Sequence, residues 1–400
     1  MLPLSEHRHK PILRARWLEN PRARGPARFY PLFLLEQKAD TLQTVGQWNQ
    51  VEGILRQNVE WLKPAGQPRH LAAARNQLGS LLTDKGNYRE ALALLKPASE
   101  FFEKTKDKLG YAQSLSNIAS VHHNQGRYAR AMECLKQALA LARRARDPHK
   151  ISQYTGNMGI IHYQMGDFHQ AIACYKRTLA IAEQLGLDHL TLAAIGNIAL
   201  IYHEQEDFTR ALEYNQRYLR LARTQGNVQT TSYAIGNIGS VYFDMDRYQD
   251  ALEAFHEHRR ITLEIGDKPG RILASDNIGS VYLALGAYGE ALKYFSDSLE
   301  LSRELGNHED AARALTHLGN LHKRNGDHAK ALSCYRQSAQ ALKKSDSEYY
   351  RCYNFYNLAE LLYRMNKLRA ARQASMAYEG CKIQNANAWN IHLDIHAKKW

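Results

Sequence analysis

Cysteine is scarce in this chain and unpaired. Five occur in 400 residues, at 134, 174, 334, 352 and 381, and no two stand in a CxxC spacing. That excludes a disulfide framework and a paired-cysteine zinc site, and it predicts reduced structural thiols in a cytoplasmic protein. No run of 18 apolar residues occurs, and the N-terminus lacks an uninterrupted apolar core of the kind a secretory signal carries. HExxH, GxSxG, GxGxxG and phosphate-loop patterns are missing too, so hydrolase, dinucleotide and nucleotide chemistry have no motif to rest on. The 18 histidines do not replace them. His122 and His123 are adjacent and His256 and His258 lie two apart, so neither pair shares a helix face as ligands four apart do. The chain is therefore read as non-enzymatic, with neither a metal nor a cofactor.

Charge of one sign is abundant only at the ends. The net charge is +13, yet residues 1–30 carry seven Lys/Arg against two acids, and residues 361–400 carry seven against two. The stretch between is close to balanced. A continuous basic groove is not supported, which makes nucleic acid an unlikely partner.

What the chain does have is a period. Asn237-Ile238-Gly239, with Tyr242, Tyr248 and Ala251 behind it, recurs forty residues earlier as Asn197-Ile198-Ala199 with Tyr202, Phe208 and Ala211. It recurs forty later as Asn277-Ile278-Gly279 with Tyr282, Tyr288 and Ala291, and no insertion disturbs the frame. Such self-similarity marks a helical repeat array, in which each repeat is stabilised by its neighbours. Each repeat reads as two helices. Ala234, Ile238, Val241 and Tyr242 give the first its 3–4 spacing, and the second starts at Tyr248 and buries Ala251, Leu252 and Phe255. Glycines at 86, 126, 166, 286 and 326 predict a positive φ between the two helices, with Glu206, Asp246 and Asn366 in that place elsewhere. Gly186, Gly226, Gly266 and Gly306 predict the stop of the second helix, and Asn227, Asp267 and Asn307 the cap of the next. Gly239 and Ala251 are expected to face each other where the two helices approach.

Three segments follow. Residues 1–31 form a basic arm without periodicity, 32–386 a solenoid of nine forty-residue repeats with the last one short, and 387–400 a capping helix or truncated tenth repeat.

The spacing from Gly239 to Tyr242, Tyr248 and Ala251, repeated over about 360 of the 400 residues, resembles the tetratricopeptide repeat (TPR) family. It departs from the usual 34-residue repeat toward the long-helix variety seen in kinesin light chains, polarity adaptors and bacterial regulators. The resemblance implies an all-α fold, a right-handed α-α superhelical solenoid whose first helices line a concave groove that binds peptides.

On that frame the recurrent asparagines face the groove. Asn157, Asn197, Asn237 and Asn277 are the candidates to hold a ligand's main chain through both carboxamide functions; Asn117 and Asn357 stand at the same place further out. The alternative is that each asparagine bonds the backbone of a neighbouring repeat and fixes the stacking. Tyr163, His203, Tyr233 and Phe243 share the groove side, and Arg313 and Arg324 give it a basic end suited to an anionic ligand terminus. The glycine-rich stretch from Gly236 to Ser240 lies inside a helix, so it cannot cradle phosphate as a loop would.

The leading expectation is a protein-protein interaction scaffold or sensor that binds an extended peptide or partner segment in the groove. A second is a regulatory TPR module of a larger signalling enzyme or transcription regulator, and a third is RNA binding through the basic ends. No membrane contact is expected, and the oligomeric state is left open.

Overall fold

The computed structural model describes residues 48–345 and 347–384. The expected basic arm at 1–31, the first residues of the solenoid at 32–47 and the terminal helix at 387–400 lie outside the described residues. All regular structure within them is helical, and the chain groups into two compact units, Met1–Ile161 and His162–Trp400.

The first unit holds α1 (Trp48–Leu62), α2 (Pro68–Asp84), α3 (Tyr88–Lys104), α4 (Lys108–Asn124), α5 (Tyr128–Ala145) and most of α6 (Pro148–Gln164). The second holds α7 (Phe168–Gln184), α8 (Asp188–Glu204), α9 (Phe208–Thr224), α10 (Val228–Asp244), α11 (Tyr248–Glu264), α12 (Lys268–Ala284), α13 (Tyr288–Glu304) and α14 (His308–Arg324). It ends with α15 (His328–Ala341), the short 3-10 turn Leu342–Lys344, α16 (Glu348–Arg364) and α17 (Leu368–Gln384). Even-numbered helices from α2 to α16 are the first helices of their repeats, and the odd-numbered helix after each is the second.

Turn chemistry sets the helix ends. After α2, Gly86 takes φ +78°, its N–H donates to the Thr83 carbonyl at 3.0 Å, and the Asn87 N–H donates to the Leu82 carbonyl at 2.7 Å. That pair closes the helix as a Schellman motif and satisfies two otherwise orphaned carbonyls. Glu206, Asp246 and Asn366 adopt the same left-handed conformation at φ 58°, 56° and 57°. The frame therefore imposes the turn even where a glutamate must hold it. Asn227, Asp267 and Asn307 cap α10, α12 and α14, each accepting a backbone N–H from the first turn.

Each unit buries its own core. Leu82, Ala91 and Leu95 are fully enclosed in the first, and Ile198, Phe295 and Tyr335 in the second. The two helices of a repeat approach closely there: a Cβ on Gly79 would lie 3.4 Å from the carbonyl oxygen of the expected alanine, Ala91, and 2.6 Å from the Leu95 side chain. A Cβ on Gly239 would lie 2.8 Å from the Phe255 ring, and one on Gly279 would lie 2.6 Å from Phe295. Ala251 is buried, but the bulk filling the space over Gly239 comes from Phe255, four residues further along the same helix. No described helix is long and apolar enough to cross a membrane.

Candidate functional site

The first helices of the second unit place Asn197 on α8, Asn237 on α10 and Asn277 on α12, forty residues apart. Asn237 is exposed and the other two are half-exposed. None of their carboxamides hydrogen-bonds to another described residue. Asn157, on α6 in the first unit, is half-exposed and equally unengaged. Asparagine is a weak helix former, so its recurrence in mid-helix without a local bond needs a cause outside the helix.

The outer asparagines differ. Asn117 is buried, donates to the main-chain carbonyl of Asn76 in the preceding repeat at 3.2 Å and accepts from Gln113 at 3.0 Å. Asn357 is buried as well, donates to the Tyr353 carbonyl at 2.8 Å and accepts from Lys323 at 3.4 Å. Asn117 ties its repeat to the one before through a main-chain carbonyl, and Asn357 bonds both its own helix and Lys323 of the preceding repeat. His317 replaces the asparagine on α14 and lies flat against Phe295, with ring centroids 5.0 Å apart.

The other expected residues are engaged with the protein. The Tyr163 hydroxyl donates to Glu204 at 2.5 Å, and burial, followed by that carboxylate, raises its pKa. His203 Nε2 pairs with Asp244 at 2.7 Å across the next repeat. Tyr233 donates to Asp267 at 3.1 Å and rests its ring on buried His258, with burial and then Asp267 raising the phenol pKa. Phe243 packs its ring on Tyr248 at 5.8 Å.

The expected basic end is neutralised within the protein. Arg313 bonds Asp276 at 2.7 Å and Asp310 at 2.8 Å, and Lys323 bonds Glu360 at 2.8 Å. Arg324 donates to the Leu283 carbonyl at 3.2 Å, and burial lowers its pKa. Sequence reasoning placed these cations on the correct helix but missed the carboxylates that reach them, because Asp276 acts from the repeat before. Leu200, 43% exposed, and Leu273, 37% exposed, lie one helical turn from Asn197 and Asn277.

Among the described residues no group of three His, Cys, Asp or Glu is placed to hold a metal ion. Cys134, Cys174 and Cys334 are half-buried and free, and burial pushes their thiols up, away from the reactive thiolate form.

Stacked two-helix repeats on one forty-residue frame define a helical-repeat protein. The tetratricopeptide repeat pattern matches residues 70–144, 151–224, 230–304 and 271–344, and the chain belongs to that family. Among solved structures it is similar to the apo form of RapI, with a TM-score of 0.65 at 15% identity over 89% of this chain and 99% of that one. A Rap protein complexed with competence and sporulation factor gives 0.56 at 14% identity over 90% and 99%. The apo quorum sensor NprR from B. thuringiensis gives 0.56 at 14% over 88% and 97%. At these identities the likeness establishes the fold. No curated protein sequence matches the chain.

Proposed function

We propose that this protein is a non-catalytic binding module whose first-helix face, in the second unit, holds an extended peptide or partner segment. The observation that carries the reading is the contrast among the asparagines. Asn117 and Asn357 are bonded to the protein, whereas Asn197, Asn237 and Asn277 offer both donor and acceptor outward at one place in three successive repeats. An extended chain advances about 3.3 Å per residue, and packed helices sit about 10 Å apart. One asparagine would then meet about every third residue of the ligand and bond its main chain.

Leu200, Leu273 and Phe243 suit aliphatic or aromatic ligand side chains. The neutralised Arg313 and Lys323 remove the reason to expect an anionic ligand terminus at that end. The Rap structure with its factor bound and the quorum sensor NprR are consistent with a sensor role. The test is selection of binders from a displayed random-peptide library, followed by titration of the best peptide against wild type and the Asn197→Ala/Asn237→Ala/Asn277→Ala variant. The reading expects at least about a hundredfold weaker binding, three hydrogen bonds at about 1 kcal/mol each, with a melting temperature no lower than that of wild type. Retained affinity, or loss of folding, would overturn it.

A further inference from the structure

The near-balance in the middle of the chain conceals a polarity between the two units. Residues 48–161 of the first carry 17 Lys/Arg against nine Asp/Glu, whereas residues 162–384 of the second carry 26 of each. The excess concentrates where second helices turn into the next first helix. Lys104, Lys106 and Lys108 surround the α3–α4 turn, and Arg143, Arg144 and Arg146 the α5–α6 turn. The two triplets lie on one repeat frame, Lys104 with Arg144 and Lys106 with Arg146. All six are exposed, and none forms an ion pair among the described residues. The nearest acids have other work, and Glu103, beside Lys104, accepts the Tyr111 hydroxyl at 3.3 Å. Asp107 caps α4 and takes Arg69 at 2.9 Å, and Asp147 caps α6 through the Lys150 N–H at 2.9 Å.

Two of the six stand where the backbone favours glycine. Lys106 and Arg146 hold φ 58° and 54°, while the corresponding place is Gly66, Gly186, Gly226, Gly266 or Gly306 elsewhere. A side chain in that conformation costs about 1 kcal/mol relative to glycine, so a cation is kept there against the local preference. The field extends along the unit: burial, and then Arg127, Arg130 and Lys96, hold His122 below the ordinary imidazole value.

Leu109, 40% exposed, is the one large exposed apolar side chain among residues 104–109 and 143–150. A protein partner usually needs an apolar centre with few lysines, and a membrane surface needs apolar anchors. Phosphates need neither. No Phe, Tyr or Trp lies within those two stretches to stack on an unpaired base. We propose that this edge of the first unit binds the phosphodiester backbone of a nucleic-acid duplex without reading its sequence, through Lys104, Lys106, Lys108, Arg143, Arg144 and Arg146.

The test uses the full chain and a fluorescent mixed-sequence duplex of about 20 base pairs, titrated between about 50 and 200 mM salt. Replacing all six residues by Gln should lower the slope of log affinity against log salt by up to about five, at about 0.9 per phosphate released. A control that replaces Lys176, Arg177, Arg220, Arg223, Lys293 and Arg336 by Gln, exposed cations of the second unit, removes the same charge and should leave the slope near wild type. Absence of duplex binding at the lowest salt, equal losses in the two variants, or tighter binding of polyglutamate or anionic vesicles than of duplex would each overturn the proposal. If the six-fold variant fails to fold, two triple variants, one per turn, replace it, and each should remove about half of the slope difference.

Discussion

Arg313 closes on Asp276, thirty-seven residues before it, at 2.7 Å, with the acid side chain 3% and the arginine 18% exposed. Burial opposes the guanidinium charge, but Asp276, Tyr350 and Asp310 more than offset it and raise its pKa. Removing one partner strands the other. Arg313→Met should destabilise the second unit by about 3–5 kcal/mol, and adding Asp276→Asn to it should restore much of that loss. Urea unfolding of the two single variants and the double variant measures the coupling; additive losses would show that the pair does not act as one.

The asparagine frame predicts opposite responses to one substitution. Asn117→Ala removes a buried bond to the preceding repeat and should cost about 1 kcal/mol. Asn237→Ala removes no bond within the protein and replaces a weak helix former by the best one, so a gain of up to about 0.5 kcal/mol is expected. Thermal melts of the two variants side by side decide between a binding and a stacking role for Asn237.

Mid-helix glycines separate in the same way. A Cβ at 239 would meet Phe255 at 2.8 Å, whereas one at 196 would meet Tyr218 at 3.4 Å, an ordinary contact. Gly239→Ala should cost about 1–3 kcal/mol through overpacking. Gly196→Ala should be neutral or stabilising by up to about 1 kcal/mol, the helix-propensity gain. Chemical denaturation midpoints that move together would contradict the packing shown by the structure.

His258 is fully buried with both ring nitrogens lacking a protein partner, and burial pushes its pKa down to about 4, with Asp267 pulling weakly the other way. The folded value lies below the unfolded one of about 6.5. Between the two the unfolded chain binds more protons, so stability rises with pH and is lost as pH falls from about 6.5 toward about 4, by at most about 3 kcal/mol. Urea midpoints measured through that window should fall less steeply for His258→Gln than for wild type. Identical slopes would place the pH dependence in other groups.

The repeat frame was legible because its signals are local: spacing along a helix, a glycine at a positive φ, an Asn or Asp at a cap. Even Glu206 could be placed at a turn once its neighbours were aligned. What eluded the sequence depends on approach between helices. That Phe255 rather than Ala251 fills the space over Gly239, and that Asp276 reaches Arg313, follow from how helices pack. The asparagines made one pattern in sequence and separate in structure, since only a neighbour's carbonyl distinguishes Asn117 from Asn237. The basic edge was hidden differently, by adding the charges of two unlike halves.

The uniform frame has a consequence for how such a chain can change its length. Asp207 precedes Phe208 and caps α9, and Arg247 occupies the same place before Tyr248. Excising 208–247 would join Asp207 to Tyr248, so the new junction would inherit a competent cap and an aromatic at the first helical position. Growth and shrinkage in whole steps of forty codons are therefore grammatical, while a shift of one or two residues inside a helix breaks the register of the repeat that holds it. The protein is in this sense a text that can gain or lose lines but not letters.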